Sequence, residues 1–364
     1  MSLRSFKKAF PFFSSKNISF LNSASTTHKP KPVVSALLKF SCRHKNISEK
    51  SDLFEKKMLT CKRLLANVLR CKKFHINFFP QGTTVCLNFL ARMLFDKDSD
   101  RTIYLLDTEH NANVFPWQKL FPNVVILPQR EMFDVAFKPG SVLALAAVSN
   151  MLGNIWKKDF SDLKNLISKA KDSGAIVVVD AAQAVIDKYF FIDEFEADYF
   201  AFSAHKFFGP TNLGVIISRD SLAMSAHRLD PRDLGFELIE FCQALKFVQK
   251  SKAKLFDLAP LAEKFYQFLK SFKKVKILNE EQVLKNQSKI ILFDVEGVHP
   301  HDAADVLSQE GVVMRAGNHC ALEANKKLNV NSSLRISLAC YNDEKDFKRF
   351  KKSFSKMIDF FSRI

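Results

Sequence analysis

Glycine is scarce, at 10 of 364 residues. The few that remain are expected where the backbone cannot do without them. Long apolar runs are also missing. The longest small-and-apolar stretch, residues 142–148, is far shorter than the roughly 20 residues a membrane span needs. The 7 cysteines are odd in number and contain no C-x-x-C pair. That argues against a disulfide framework and a structural zinc site, and suits a reducing cytosol. No run of five or more basic residues occurs, so the net charge of +17 reads as a solvated, lysine-rich surface rather than a nucleic-acid site. The first 48 residues lack Asp and Glu and hold 9 Lys or Arg, as an organellar transit peptide does. The Phe20-Leu21-Asn22 segment, however, already reads as folded protein, so the cytoplasm is the expected compartment.

What is abundant is phenylalanine, at 37 residues, so the core is expected to be built from rings. Apolar residues at 47% and charged residues at 26% are ordinary for a globular protein. The length suggests two domains or one large one. Short apolar runs alternate with amphipathic stretches, the pattern of an α/β protein with a mainly parallel sheet. Strands are predicted at Ile103–Asp107, Val124–Leu127, Val142–Ser149, Ala175–Asp180, Asp198–Ser203 and Val215–Ser218. Phe160–Ser173 is apolar at Leu163, Leu166, Ile167 and Ala170, a helical spacing closed by Gly174. Residues 220–250 read as an inter-domain crossing. A helix around 253–271 follows, then strands at Lys289–Asp294, Val312–Arg315 and Leu334–Leu338, and a closing helix from Asp343. A large domain over 15–235 and a smaller α+β domain over 236–364, joined by 1–14, are expected.

The chemistry concentrates in two strand ends. The run 175–180 ends in Asp180, with Gln183 just beyond; the run 199–203 ends in Ser203 and continues into His205 and Lys206. In an open α/β sheet both ends fall on the carboxyl edge, where ligands bind. An acid and a lysine there suit pyridoxal phosphate, the lysine forming a Schiff base and the acid keeping the ring nitrogen protonated. Taken singly, an acid ending a strand more often caps a helix. Gln81-Gly82-Thr83-Thr84 precedes a predicted helix over Val85–Leu94. It is either an anion site of backbone N–H groups and two hydroxyls or a plain threonine cap.

With these motifs in place, the chain resembles the class V aminotransferase group of fold-type I pyridoxal-phosphate enzymes, and within it the SUF-type (group II) cysteine desulfurases. The matching stretches are 20–30, Gly82–Thr84, 109–118, 148–153, Asp180–Gln183, 203–210, Arg315–Cys320 and 334–342. The resemblance implies a large domain with a seven-stranded-type sheet, a pyridoxal 5'-phosphate cofactor and an L-cysteine substrate. It also implies a homodimer, a sulfur-acceptor protein and a role in iron–sulfur cluster assembly. It assigns the Schiff base to Lys206, the ring nitrogen to Asp180 and the phenolic oxygen to Gln183. The phosphate falls to Thr84, Ser203 and His205, with Thr83 also expected at the cofactor, a cofactor or carboxylate contact to Asn150, and the substrate carboxylate to Arg335. Cys320 becomes the nucleophile that carries the persulfide, with Arg315 and His319 close by in sequence. A related lyase, such as a selenocysteine lyase, and a degenerate non-catalytic subunit are the alternatives.

The chain departs from that pattern at five places. Asn111 stands where the family stacks a histidine on the cofactor, so Asn111 is expected at the cofactor and His110 takes the catalytic place. Lys45-Asn46-Ile47-Ser48 replaces an Arg-Gly-x-His segment, and a glycine-rich loop after Ser218 is missing. Residues 228–236 replace a Phe-Glu-x-Gly-Thr-Pro segment whose threonine reaches the neighbouring subunit's phosphate, with Arg232 as the stand-in. Asn318-His319-Cys320 replaces His-His-Cys. By the resemblance, these departures gather at the dimer-facing rim of the site.

Overall fold

A computed structural model describes residues 6–14, 17–43, 47–220, 231–251 and 258–363. Lys45, Asn46, residues 228–230 and the side chain of Arg232 lie outside the described residues. The central sheet is built from β2 (His75–Pro80), β3 (Thr102–Leu106), β4 (Asn123–Leu127), β5 (Val142–Ala146), β6 (Ile176–Asp180), β7 (Tyr199–Ser203) and β8 (Leu213–Ser218). Its seven strands run in the order β2-β8-β7-β6-β5-β3-β4. All neighbours are parallel except β8, which is antiparallel to both β2 and β7. Residues 142–146 and 199–203 are buried throughout. That is why these strands read as continuous apolar runs rather than as alternations.

Helices cover both faces. α1 (Lys31–Arg43), α2 (Ile47–Val68) and α6 (Gly235–Ser251) pack on one another. α3 (Thr83–Lys97) packs on β7 and β8, and on α4 (Phe115–Leu120). α5 (Ser161–Asp172) buries Leu163, Leu166, Ile167 and Ala170, and Gly174 follows it at φ +76°. The ring-rich core appears as clusters of edge-on and tilted pairs. In one, Phe160, Phe190 and Phe195 have centroids 5.0–6.3 Å apart.

A second sheet, of order β12-β13-β10-β9, is antiparallel. It comprises β9 (Val275–Ile277), β10 (Ile290–Val295), β12 (Arg315–Gly317) and β13 (Ser333–Ser337). α7 (Ala259–Lys270), α8 (Pro300–Gln309), α9 (Leu322–Leu328) and α10 (Glu344–Phe361) accompany it. α10 starts on a capping box between Asp343 and Asp346 and buries Phe350, Phe354 and Met357. β1 (Ser19–Phe20) pairs in parallel with β11 (Val312–Val313), and Asn22 bridges to Ser337. The chain therefore enters along the small sheet before crossing to the large one.

Several expectations are corrected. Residues 220–250 are not simply a crossing, because α6 spans 235–251 and buries Leu238, Ile239, Phe241, Cys242, Leu245 and Val248. Its apolar residues surround much of the helix, so no single polar face marks it in the sequence. Gly235 lets it close on α2, since a Cβ there would lie 2.3 Å from the Phe54 ring. We propose that the domain boundary falls after α6 rather than at 235, because the small-sheet core takes up the chain again at Leu258. Residues 6–14 place Phe6 and Phe10 in the core that α6 shares. The strand expected over Val312–Arg315 is two, because the chain changes sheets at Met314. β2 went unpredicted: its single burial pattern mixes exposed and buried positions at the antiparallel edge.

Candidate active site

The carboxyl ends of β2, β3, β5, β6 and β7 open into a cavity of about 200 Å³, lined also by Ala24, Ser25, Arg315 and Arg335. Its floor is set by the sheet. Asp180 ends β6, is buried and accepts a hydrogen bond from the Ala182 amide at 2.9 Å. Burial pushes its carboxyl up to about 6, against the pull of Lys206. Lys206 stands on the short turn after β7. Its Nζ donates to the carbonyls of Ala24 and of Ser25, the latter at 2.8 Å. Among the described residues no carboxylate pairs with it. Burial, then the charge of Arg335, brings it down to about 7, so the amine is readily neutral.

The anion end lies at the start of α3. Gly82, at φ +78°, is the N-cap, and a Cβ there would lie 2.7 Å from Ser203 Oγ. Only glycine allows strand β7 to approach this closely. Ser203 Oγ accepts from the Thr83 amide at 2.7 Å and shares a 2.6 Å hydrogen bond with the Thr83 hydroxyl. Thr84 lines the cavity beside them. His205 Nδ1 lies 3.1 Å from the Thr26 hydroxyl. Its imidazole is brought down to about 4 by burial and by Lys206, and is neutral at working pH. Gln183 Nε2 donates to the Ala24 carbonyl at 2.8 Å.

Arg335, on β13, is 1% exposed. It donates to the Asn150 carbonyl at 2.6 Å and to Asn22 Oδ1 at 3.3 Å. Among the described residues its Nε has no hydrogen-bond partner, and neither has buried Asn150 Oδ1. Among the described residues no acid pairs with it. A buried guanidinium without a carboxylate is costly unless a ligand supplies one. Among the described residues of the lining Asp180 is the one acid, against Arg315, Arg335 and Lys206. The cavity therefore suits a ligand with at least two anionic groups, and it sets a buried amine and a buried acid facing the same space. Those are the requirements of pyridoxal phosphate carrying an amino acid, so the residues present fit the expected cofactor.

The mouth is made differently. His110 lines the cavity, accepts from the Ala112 amide at 3.0 Å, and is brought down to about 4 by burial and then by Lys206. Asn111 does not line it. The Asn111 amide donates to the Cys320 carbonyl at 2.7 Å, and its Oδ1 accepts from the Leu322 amide at 3.1 Å. The turn over residues 111–113 therefore directs His110 into the cavity and Asn111 toward the Cys320 turn. Cys320 sits half-buried beside the cavity, with Arg315 donating to its Sγ at 3.5 Å. His319 and Cys320 are both left-handed, at φ +53° and +55°, a conformation that costs about 1–2 kcal/mol per non-glycine residue. His319 is held by Ser333 through Nε2, and burial brings it down to about 3.

All the floor and wall residues singled out in the sequence converge here: Thr83, Thr84, His110, Asn150, Asp180, Gln183, Ser203, His205, Lys206 and Arg335. Four contributors were not foreseen. Thr26 and the carbonyls of Ala24 and Ser25 come from the 20–30 stretch, whose run of small and hydroxyl residues was the available signal. Glu109 lies fully buried under the mouth, where Asn113 and the Ala146 amide hold both its oxygens.

The comparisons agree with this geometry. The profile of the aminotransferase class-V family matches residues 19–235 and 233–350. A protein of Staphylococcus aureus (strain Mu50), named as a probable cysteine desulfurase, is 25% identical over 399 residues, covering 95% of this chain and 94% of its own length. A probable cysteine desulfurase of Pseudomonas putida (strain KT2440) is 28% identical over 380 residues, 91% of each chain. The crystal structure of an Escherichia coli cysteine desulfurase covers 99% of each chain with a TM-score of 0.83 at 25% identity. The apo structure of a cysteine desulfurase from Thermococcus onnurineus NA1 superposes with a TM-score of 0.84 at 22% identity over 98% of each chain, a likeness of fold. On its fold, its cavity and a match over most of its length, the chain belongs to the aminotransferase class-V family.

Proposed function

We propose that this protein is a pyridoxal-phosphate-dependent cysteine desulfurase that converts L-cysteine to L-alanine and leaves a persulfide on Cys320. The observation that carries the reading is buried Arg335, with no acid partner among the described residues, lining the same cavity as Lys206 and Asp180, with the Cys320–Arg315 pair at the mouth. The related chains named as cysteine desulfurases support it.

Bound in the cavity, pyridoxal phosphate supplies an electron sink that loosens the bonds at the substrate's α- and β-carbons. The α3 N-terminus, Thr83, Thr84, Ser203 and His205 would hold its phosphate. Asp180 would keep a proton at the ring nitrogen, and Gln183 would serve the phenolic oxygen. Arg335 would clamp the α-carboxylate beside Asn150. Lys206 Nζ, neutral above about pH 7, moves the proton at the substrate Cα. The Cys320 thiolate takes the substrate sulfur, with the Arg315 guanidinium as its cationic neighbour. An S–S bond forms as the Cβ–S bond breaks, and the β-carbon gains a proton. Sulfur is oxidised as carbon is reduced, so cysteine and a thiol give alanine and a persulfide with no external oxidant.

In the same reading the protein is a homodimer of the group II type. It works in the cytoplasm and passes sulfur to an acceptor protein of iron–sulfur cluster assembly. No described helix is long and apolar enough to cross a membrane. The test is the visible spectrum of protein supplied with pyridoxal phosphate, before and after L-cysteine, with dithiothreitol as thiol acceptor and alanine assayed in the same tube. A Schiff-base band that shifts as alanine accumulates is expected. A band without alanine, from cysteine alone among sulfur and selenium amino acids, removes the desulfurase reading.

A further inference from the structure

We propose that Asn111 is a positioning residue for Cys320. The inference rests on the desulfurase reading for its consequence, though not for its geometry. Asn111 holds the Cys320 turn by two bonds of different kinds: its amide donates to the Cys320 carbonyl at 2.7 Å, and its Oδ1 accepts from the Leu322 amide at 3.1 Å. The second bond caps the first turn of α9, whose N-cap residue Ala321 makes no side-chain cap of its own. The far side of the turn is tied by Asn325, whose Nδ2 donates to the carbonyls of Asn318 and Ala321, each at 2.7 Å. Between these ties His319 and Cys320 take left-handed backbone, a state that persists when the surroundings enforce it.

The geometry also links the turn to the cavity. Asn111 follows His110, which lines the cavity, so one short turn carries both the wall of the substrate space and the anchor of the thiol. An asparagine can do this because its carbonyl oxygen reaches a backbone amide at a helix start. Freed of the Oδ1 bond, the turn could relax toward ordinary backbone and move the Cys320 sulfur. A misplacement on the order of 1 Å is enough to slow a positioned reaction by about 100-fold.

Asn111→Ala and Asn111→Asp are compared with the wild type, each loaded with pyridoxal phosphate and each also cofactor-free. Asp keeps an acceptor for the Leu322 amide; Ala does not. Asn111→Ala is expected to lower kcat for alanine release by about 10–100-fold, with KM for L-cysteine and the bound-cofactor spectrum unchanged. Amide exchange over residues 318–328 should quicken in the same variant, with or without cofactor. Asn111→Asp should restore both kcat and protection. A changed cofactor spectrum or KM in Asn111→Ala would overturn the proposal by placing Asn111 at the cofactor, as would an unchanged kcat. An Asp variant as impaired as the Ala variant would also overturn it. If wild-type protein releases no alanine, the activity reading fails by itself, and exchange in the cofactor-free protein decides the clamp: protection lost in Ala and regained in Asp supports it, and no change overturns it.

Discussion

At the floor of the cavity, Asp180 and Ser203 end two adjacent parallel strands, and the ladder pairing Asp180 with Ala201 sets their spacing. At the mouth, Cys320 and His110 belong to loops more than 200 residues apart, and single hydrogen bonds through Asn111 set theirs. The floor is fixed by cooperative backbone pairing, in which no one side chain decides the geometry. The mouth is fixed by a few side-chain and backbone contacts, each of which can be exchanged separately. The departures at Asn111 and Asn318 lie at the mouth, where one residue can be altered without moving the sheet.

The largest expected effects test that division directly. Lys206→Ala should abolish the Schiff-base band and lower alanine formation by at least about 10³-fold, because both the covalent anchor and the proton carrier are removed. Cys320→Ala should lower desulfuration by about 10²-fold or more, yet leave the cofactor band and the melting temperature unchanged. Its side chain is half-buried and belongs to none of the apolar cores. Loss of cofactor binding in Cys320→Ala would show that mouth and floor are one unit after all.

A smaller effect, graded with pH, sharpens the account of the floor. Burial and Arg335 bring Lys206 down from 10.5 to about 7. Only the neutral amine attacks an aldehyde. In cofactor-free protein the rate of pyridoxal phosphate capture should therefore rise about tenfold per pH unit below 7 and level off above it. Stopped-flow absorbance against pH measures this. A rate that climbs steadily to about pH 10 would mean that Lys206 keeps its ordinary pKa and that the floor is wetter than its burial implies.

The same division explains what could be read from the sequence. β5, β6 and β7 are buried on both faces, so each is a plain apolar run whose last residue points to the carboxyl edge; Asp180, Ser203 and Lys206 were legible for that reason. Arg335 and Cys320 were legible through the family motifs, since neither has a periodicity of its own. α6 was not legible, because it is buried on more than one side and loses the helical alternation. The orientation of Asn111 was not legible either. Sequence position suggested the cofactor, while the direction depends on a three-residue turn and on a partner, Leu322, 211 residues away.

The smallest expected effect concerns the tie between the two regions. Glu109 Oε1 accepts from the Ala146 amide at the end of β5, at 2.8 Å, and Oε2 accepts from Asn113 Nδ2 at 2.7 Å, on the turn that carries Asn111. Asn113 is itself fixed, because its Oδ1 accepts from Trp117 Nε1 at 3.1 Å. Burial pushes Glu109 up to about 8 against the pull of the two hydrogen bonds, so the carboxylate that accepts both is the form above that pH, where the variant is compared. Glu109→Gln keeps size and shape but offers one acceptor where two donors converge. Its amide must then face either the Ala146 N–H or the Asn113 amide group, and turning Asn113 over would break the Trp117 bond. The cost should be about 1–3 kcal/mol, read as a melting temperature lower by a few degrees, with faster amide exchange over residues 109–113. An unchanged melting temperature would mean that floor and mouth are not joined through Glu109, and that the Asn111 turn is held from the Cys320 side alone.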